Sequence, residues 1–372
     1  MQFCDLNAQY QRIESEITSR MRTVLQKQHF IMGSEVLELE KRLAAFVGVK
    51  HVIPCASGTD ALTIPLMAYN LNKTDAVFVP SFTFFASAES ITLAGGTPVF
   101  VDSDESSFNL SIASLRKAIE KTFEERVLTP RGVMTVDLFG QPADYVEVKE
   151  IADQYGLFIL EDAAQSFGAV YQGRRTGSLG NVGATSFFPS KPLGCYGDGG
   201  AIFTDDDRLA EIMRSISVHG KGIDKYDNIR IGLNSRLDTL QAAILLAKLD
   251  IFENEIELRN KVAECYSQLL RGLFELPIVG SDRTSVWAQY TIKTSGQTAR
   301  SNLIEQLKQQ GIPTAVYYPT PIHLSTAYRN LGYRLGDLPV CEMLSNQVLS
   351  LPMHPYLSEE NIQWIASVLK EC

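Results

Sequence analysis

The sequence has few cysteines, and their spacing contains no clustered pair. The six cysteines among 372 residues are scattered, and none forms a C-x-x-C motif. A disulfide-rich secreted scaffold is excluded, because such domains are short and dense in cysteine. The five histidines are equally dispersed, so no metal site is expected. We therefore expect free thiols in a reducing, cytoplasmic compartment.

Excess positive charge and long apolar runs are also lacking. The chain has 34 basic and 43 acidic residues, a net charge of −9, whereas nucleic-acid binders usually carry a basic stripe. Residues 77–101, the most apolar stretch, contain two prolines, two glycines and a glutamate, and so cannot span a bilayer. The first ten residues have neither the basic nor the apolar region of a signal peptide. We therefore expect a cytoplasmic enzyme that binds neither nucleic acid nor membrane.

Short apolar segments alternate with helical patterns through the first 235 residues. This alternation predicts an α/β fold with a mainly parallel sheet and helices on both faces. The length favours about two domains, which we place at residues 1–245 and 246–372, the second being a smaller α+β domain. The predicted strands are His51–Cys55, Ala76–Pro80, Pro98–Asp102, Gly132–Leu138, Leu157–Glu161, Ala184–Phe188 and Gly200–Thr204.

Helices are predicted where apolar residues recur at three- and four-residue spacing. Ser34 is a plausible N-cap for a helix that ends at Gly48, since two glutamates fall in its first turn. Residues 236–270 contain no glycine or proline, and this predicts one or two long helices. The later predicted elements are a strand over Val286–Thr294 and helices over Arg300–Gln310 and Ser358–Lys370.

Three segments that follow predicted strands could carry chemistry. The small-residue turn at 56–61 leads into a helix whose free N–H groups would suit a phosphate, although a simple N-cap explains it equally well. Asp162 ends a buried strand and needs a cationic partner, which could be a ring nitrogen or merely a structural ion pair. Lys191 lies between two prolines, where burial would make it a Schiff-base nucleophile, although most lysines are solvated surface charges.

Together these segments describe a pyridoxal 5′-phosphate (PLP) site. Over essentially the whole chain, from Phe3-x-Asp5-Leu6 to Leu351-Pro352-Met353-His354-Pro355-Tyr356, the sequence resembles the DegT/StrS-type nucleotide-sugar aminotransferases. These belong to the aspartate-aminotransferase-like PLP enzymes of fold type I. The resemblance implies a large PLP-binding domain and a smaller C-terminal domain.

The resemblance also implies roles for individual residues. Lys191 would hold the cofactor aldehyde and move the proton, and Asp162 would keep the ring nitrogen protonated. Gln165 would lie beside the cofactor hydroxyl, and Phe84 would stack on the pyridine ring. The phosphate would be held by Gly58, Thr59 and Ser186.

Further residues match those that recognise the substrate. Asn234 and Arg236 match residues that reach the neighbouring subunit's site, which implies a homodimer with shared active sites. Asn234 would contact the phosphate there, and Arg236 would bind a carboxylate of glutamate or of a uronic-acid sugar. The residues expected near the sugar nucleotide are Phe30, Ser190, Arg236, Tyr317 and Tyr318.

Within the family, the chain resembles bacterial aminotransferases that act on UDP-2-acetamido-2-deoxy-3-oxo-glucuronate. Such an enzyme would move the amino group of L-glutamate to C3 of the sugar, for surface polysaccharide synthesis such as that of O-antigen. One alternative is amination at C4 of a nucleotide-linked 4-keto-6-deoxy sugar. A second is a PLP-binding regulatory protein without turnover.

Overall fold

Helices and strands alternate along the chain in the computed structural model, which describes residues 1–224 and 226–371. The helices are α1 (Leu6–Lys27), α2 (Ser34–Val47), α3 (Gly58–Ala68), α4 (Phe85–Leu93), α5 (Ile112–Glu125), α6 (Tyr145–Tyr155), α7 (Asp207–Ile216), α8 (Thr239–Leu249), α9 (Phe252–Leu269), α10 (Gln297–Gln309), α11 (Pro339–Gln347) and α12 (Glu359–Glu371). The strands are β1 (His51–Cys55), β2 (Asp75–Pro80), β3 (Thr97–Val101), β4 (Thr129–Val136), β5 (Phe158–Asp162), β6 (Val170–Tyr171), β7 (Arg174–Arg175), β8 (Val182–Ser186), β9 (Gly200–Thr204), β10 (Tyr290–Lys293) and β11 (Val348–Leu351).

Seven strands form the central sheet, in the order β1-β9-β8-β5-β4-β2-β3. Six of them run in one direction, and β9 is antiparallel to both of its neighbours. Every residue of β2 and β9 is buried, as expected for strands covered by helices on both faces. The predicted α/β fold with a mainly parallel sheet is thus confirmed.

Helix α5 shows how the covering helices are specified. Its buried residues Leu115, Ile119 and Thr122 recur at four- and three-residue spacing, which places them on one face against the sheet. The Oγ of Ser111 accepts a hydrogen bond from the backbone N–H of Ser114, so one free donor of the first turn is satisfied. Local sequence alone therefore accounts for where this helix begins and which side it buries.

A second sheet pairs β10 with β11 in antiparallel register, Tyr290 opposite Leu351. It packs with α9, α10 and α12 around a separate apolar cluster that includes Tyr266, Tyr290 and Ile365. Side chains of residues 322–348 instead join the cluster beneath the central sheet. The division into residues 1–245 and 246–372 stays a prediction.

Several predicted boundaries differ from the observed ones. Gly33, not Ser34, is the N-cap of α2, because Ser34 is already helical and its hydroxyl is bound to Lys27 and Glu35. Residues 236–270, predicted as one or two long helices, form the two helices α8 and α9. The first of them, α8, begins only at Thr239. The strand predicted from Val286 begins at Tyr290, since Trp287 adopts a positive φ of 50°.

The structure also describes the state of the cysteines and the character of the helices. The five cysteines within the described residues are all free. Among the same residues, no helix combines the length and the apolar character needed to cross a bilayer.

Candidate active site

The predicted cofactor residues meet at the carboxyl edge of the parallel strands. β5 ends at Asp162, β8 ends at Ser186, and β1 is followed within three residues by the start of α3 at Gly58. Parallel strands bring their carboxyl ends to one edge, where open α/β sheets bind ligands. The sheet order β1-β9-β8-β5 brings these segments together.

Asp162 is a buried carboxylate held by two donors. Its Oδ2 accepts a hydrogen bond from the hydroxyl of Ser87 at 2.9 Å, and its Oδ1 accepts one from the N–H of Ala164 at 3.1 Å. Burial raises the pKa of Asp162, against the opposing effects of these donors and of the Lys191 charge. A cation placed beside it would favour the ionised form, which is the requirement for an aspartate that serves a ring nitrogen.

Lys191 lies in a tight loop after β8, where its N–H donates to the carbonyl of Phe188 at 2.9 Å. The residue is partly accessible, but its amine is surrounded by protein atoms. Burial lowers the pKa of Lys191, while the charge of Asp162 opposes that shift. A lowered pKa makes the neutral amine, which is the nucleophilic form, more accessible than it is for a solvated lysine.

The start of α3 forms a cradle against the end of β8. A Cβ at Gly58 would lie 2.6 Å from the Cβ of Ser186, so only glycine allows this approach. Ser57 caps the helix by accepting the N–H of Asp60 at 3.1 Å, whereas the first-turn N–H groups of Gly58 and Thr59 have no intrahelical partner. Free N–H groups at a helix N-terminus are suited to a phosphate.

Gln165 joins the cofactor side to the C-terminal part of the chain. Its Oε1 accepts the N–H of Phe139 at 2.7 Å, and its Nε2 donates to the Tyr318 hydroxyl at 3.0 Å. The ring of Tyr318 lies 6.1 Å from that of Phe84, centroid to centroid. Phe84 is 54% exposed, so a face of its ring is free for a planar ligand.

The segment that carries Asn234 and Arg236 is anchored by the serine between them. The Oγ of Ser235 accepts the N–H of Ala56 at 3.1 Å and donates to Asp60 Oδ2 at 2.7 Å. Ser235 is buried, whereas Asn234 is exposed and Arg236 is partly exposed. Arg236 donates to the amide oxygen of Asn234, and within residues 1–224 and 226–371 it has no carboxylate partner.

The remaining predicted substrate residues lie at the rim. Ser190 is exposed beside Lys191. Phe30 is 43% exposed, and its carbonyl accepts the N–H of Thr239, which places it beside the arginine-bearing segment. Tyr317 is partly buried and contacts the ring of Tyr318 edge-on at 5.7 Å. The structure thus brings Gly58, Ser186, Asp162, Gln165, Phe84 and Tyr318 to this edge, whereas Phe30, Asn234 and Arg236 lie on the adjoining segments, and the individual roles stay predictions.

Sequence reasoning missed Ser87 and the backbone of Phe139. Ser87 lies on α4, one turn after Phe84, and holds the aspartate through its hydroxyl. A buried serine in an apolar helix gave no signal, because its partner is 75 residues away. Phe139 acts through its N–H, which no side-chain pattern reveals.

Comparison with known proteins tests the family resemblance. The model of the DegT/DnrJ/EryC1/StrS aminotransferase family matches residues 11–370. The chain belongs to this family. A curated relative from Pseudomonas aeruginosa, UDP-2-acetamido-2-deoxy-3-oxo-D-glucuronate aminotransferase, is 47% identical over 99% of both chains.

Solved structures of family members have the same fold. An aminotransferase of this family from Brucella abortus superposes with a TM-score of 0.97 at 49% identity, covering 100% of this chain and 99% of that one. DesV of S. venezuelae, solved in complex with a ketimine intermediate, gives a TM-score of 0.94 at 37% identity, covering 100% and 97%. The protein is therefore an aminotransferase with the fold of this family.

Aminotransferases of this family depend on PLP, and the residues present fit that cofactor. The close approach of Gly58 to Ser186 leaves space that a Cβ at residue 58 would fill. Asp162 is a buried carboxylate that a protonated ring nitrogen would stabilise, and burial lowers the pKa of Lys191. PLP supplies an electron sink for the amino acid's α-carbon. In the predicted roles, the chain itself would hold the phosphate at the start of α3, fix the ring beside Asp162 and move the proton through Lys191.

Proposed function

We propose that the protein transfers the amino group of L-glutamate to C3 of UDP-2-acetamido-2-deoxy-3-oxo-glucuronate, as a step in surface polysaccharide synthesis. The 47% identity to the Pseudomonas aeruginosa aminotransferase, over 99% of both chains, carries this proposal. A second relative from Acidithiobacillus ferrooxidans, named for 3-amination of a UDP-linked 3-dehydro-glucosamine, is 38% identical over 98% of this chain. Both names place the new amine at C3.

The uronate carboxylate needs a cation, and Arg236 is suited to this role. Arg236 is partly exposed, and among the described residues its guanidinium has the neutral amide of Asn234 as its side-chain partner and no carboxylate. A guanidinium can bind a carboxylate through two parallel hydrogen bonds. Tyr317, Tyr318 and Ser190 would line the path of the sugar.

We also propose that two chains share each active site. Ser235 is bound to the Ala56–Asp60 segment, while Asn234 beside it is exposed and Arg236 partly exposed, so both are accessible to a neighbouring chain. Apolar side chains on the adjoining segments are strongly exposed, including Ile223 (98%) and Ile231 (86%). Such apolar exposure marks a protein interface, and a homodimer in the cytoplasm would cover it.

The decisive experiment supplies L-glutamate with two ketosugar nucleotides in parallel. One is the UDP-linked 3-keto uronate, and the other is a nucleotide-linked 4-keto-6-deoxy sugar. We expect an aminated product only from the first, detected as a mass change and located at C3 by NMR. Amination of the 4-keto sugar alone would establish the alternative enzyme. No turnover of either, with PLP bound, would favour the regulatory alternative.

A further inference from the structure

A serine, a histidine and a glutamate form a hydrogen-bonded chain beside the active site. Ser81 Oγ lies 2.7 Å from His323 Nδ1, and His323 Nε2 lies 3.1 Å from Glu342 Oε1. This order is that of a hydrolase triad. Ser81 and His323 are nevertheless 0% and 1% exposed, so no substrate reaches the hydroxyl. The three residues, here called the Ser–His–Glu relay, must act on the protein itself.

The donors and acceptors of the relay define its hydrogen positions. Glu342 also accepts the N–H of Gly336, at 2.8 and 3.0 Å to its two oxygens, as a carboxylate would. His323 then donates from Nε2, which leaves Nδ1 to accept from the Ser81 hydroxyl. Ser81 Oγ in turn accepts the N–H of His323 at 3.0 Å. Burial lowers the pKa of His323 against the opposing influence of Glu342, in agreement with a neutral ring.

Both ends of the relay are fixed to the central sheet. Ser81 directly follows β2, and its carbonyl accepts the N–H of Ile322 at 2.9 Å. The first turn of helix α11, which carries the glutamate of the relay, is bound by Asp102, the residue directly after β3. That carboxylate accepts the N–H groups of Val340 at 3.1 Å and Cys341 at 2.7 Å. The relay therefore ties a C-terminal segment to the edge of the sheet where the cofactor residues lie.

The segments tied in this way carry the aromatic residues of the site. Phe84 lies three residues after Ser81, and Tyr318 lies five residues before His323. The rings of Phe84 and Tyr318 are 6.1 Å apart, and the hydroxyl of Tyr318 holds Gln165. A shift of the 317–324 segment would move Tyr318 and release that contact.

We propose that the Ser–His–Glu relay is a positioning device that holds Tyr318, and through it Gln165, against the cofactor site. The relay touches neither cofactor nor substrate. Its effect is to keep the 317–324 segment docked before either ligand binds. This inference does not depend on which sugar is the substrate. It can therefore fail while the proposed function holds, and it can hold while the proposed function fails.

The first test measures hydrogen exchange in the apoprotein. Ser81→Ala removes one oxygen atom and leaves Nδ1 and the backbone N–H of His323 without their partner, while the contact of Nε2 with Glu342 remains. We expect peptides covering 317–324 to exchange about 10- to 100-fold faster, as for two lost buried hydrogen bonds. The control is Ser345→Ala on α11, which also removes a buried hydroxyl but one with no hydrogen-bond partner among the described residues.

The second test measures steady-state kinetics of the PLP-loaded enzyme. Ser81→Ala should raise the KM for the sugar nucleotide about tenfold and change kcat by less than about threefold, since no reacting group is removed. Glu342→Gln keeps an acceptor for Nε2 and should retain most of the affinity for the sugar nucleotide, whereas His323→Asn should lose it. If His323→Asn folds poorly, the comparison of Ser81→Ala with Ser345→Ala carries the test.

Two outcomes would overturn the proposal. In the first, Ser81→Ala matches Ser345→Ala in both exchange and KM. In the second, exchange accelerates equally in peptides of β10 and α12, which would show a general loss of stability. Acceleration confined to 317–324, together with the rise in KM, would support it.

Discussion

The cofactor side of the active site and the 232–238 segment differ in how the chain supports them. On the cofactor side, Asp162 is buried and held by Ser87 and a backbone N–H. On the other, Asn234 is exposed and Arg236 partly so, and their side chains bond to each other. If the predicted roles hold, one chain supplies the groups for proton transfer from a rigid, buried setting, whereas the groups for substrate recognition lie on an exposed segment.

The largest effect is expected from Lys191→Ala. Removing the amine takes away both the attachment of the aldehyde and the proton carrier, so turnover should fall by about 10⁴-fold or more. The fold, measured by circular dichroism, should not change. The wild-type protein should be yellow, and borohydride should fix the cofactor to Lys191, as peptide mass spectrometry can show.

The control for this variant is the exposed Lys73→Ala, which should behave as wild type. Turnover close to wild type in Lys191→Ala would refute the role of the lysine. A colourless protein whose spectrum is unchanged by added PLP would contradict the cofactor assignment.

A smaller loss is expected from Asp162→Asn. The amide keeps the size of the side chain but cannot stabilise a protonated ring nitrogen, so kcat should fall by about 10²- to 10³-fold. Stopped-flow absorbance with glutamate would show the slowed half-reaction. An unchanged half-reaction rate would mean that the ring is held by other groups.

Arg236→Gln should act mainly on substrate binding. Loss of a guanidinium–carboxylate pair should raise the KM for the 3-keto uronate about 10- to 100-fold, with kcat little changed. The matched substrate is the UDP-linked 3-keto sugar with a hydroxymethyl group in place of the carboxylate, whose KM should not change. A rise in the KM for glutamate instead would assign Arg236 to the amino donor.

Mixing an inactive variant with one that binds substrate weakly tests whether Asn234 and Arg236 complete the active site of a partner chain. Lys191→Ala and Arg236→Gln chains, refolded together, would form mixed dimers with one doubly altered and one intact site if sites are shared. Random pairing would then restore about a quarter of wild-type activity at low substrate. Activity equal to the sum of the two parents would show that each chain completes its own site.

The smallest effect is expected from Ser87→Ala. Loss of one donor to a buried carboxylate should lower kcat about 3- to 10-fold, because the ionised form of Asp162 is less well supported. Ser90→Ala on the same helix removes a hydroxyl that bonds only to a backbone carbonyl and serves as control. Equal effects of the two variants would point to packing of α4 rather than to the carboxylate.

Patterns with local causes were predictable from the sequence. Alternating apolar runs predicted the seven strands of the central sheet, and β1 was predicted at its observed bounds, His51–Cys55. The observed β11, in contrast, has no predicted counterpart. All four of its residues are buried, so it shows no alternation of apolar and polar residues that would distinguish it from the preceding helix. Boundaries at Gly33 and Thr239 depend on caps and contacts made elsewhere in the chain.

The cofactor chemistry could be inferred from local sequence, because Lys191, Asp162 and the turn at 56–61 each lie at or after the end of a strand and match one family in order. The groups that support these residues became apparent only in the folded chain. Ser87 meets Asp162 across 75 residues, and Ser81 meets His323 across 242. Such contacts arise because parallel strands gather distant segments at one edge of the sheet, and no local pattern of residue types records that meeting.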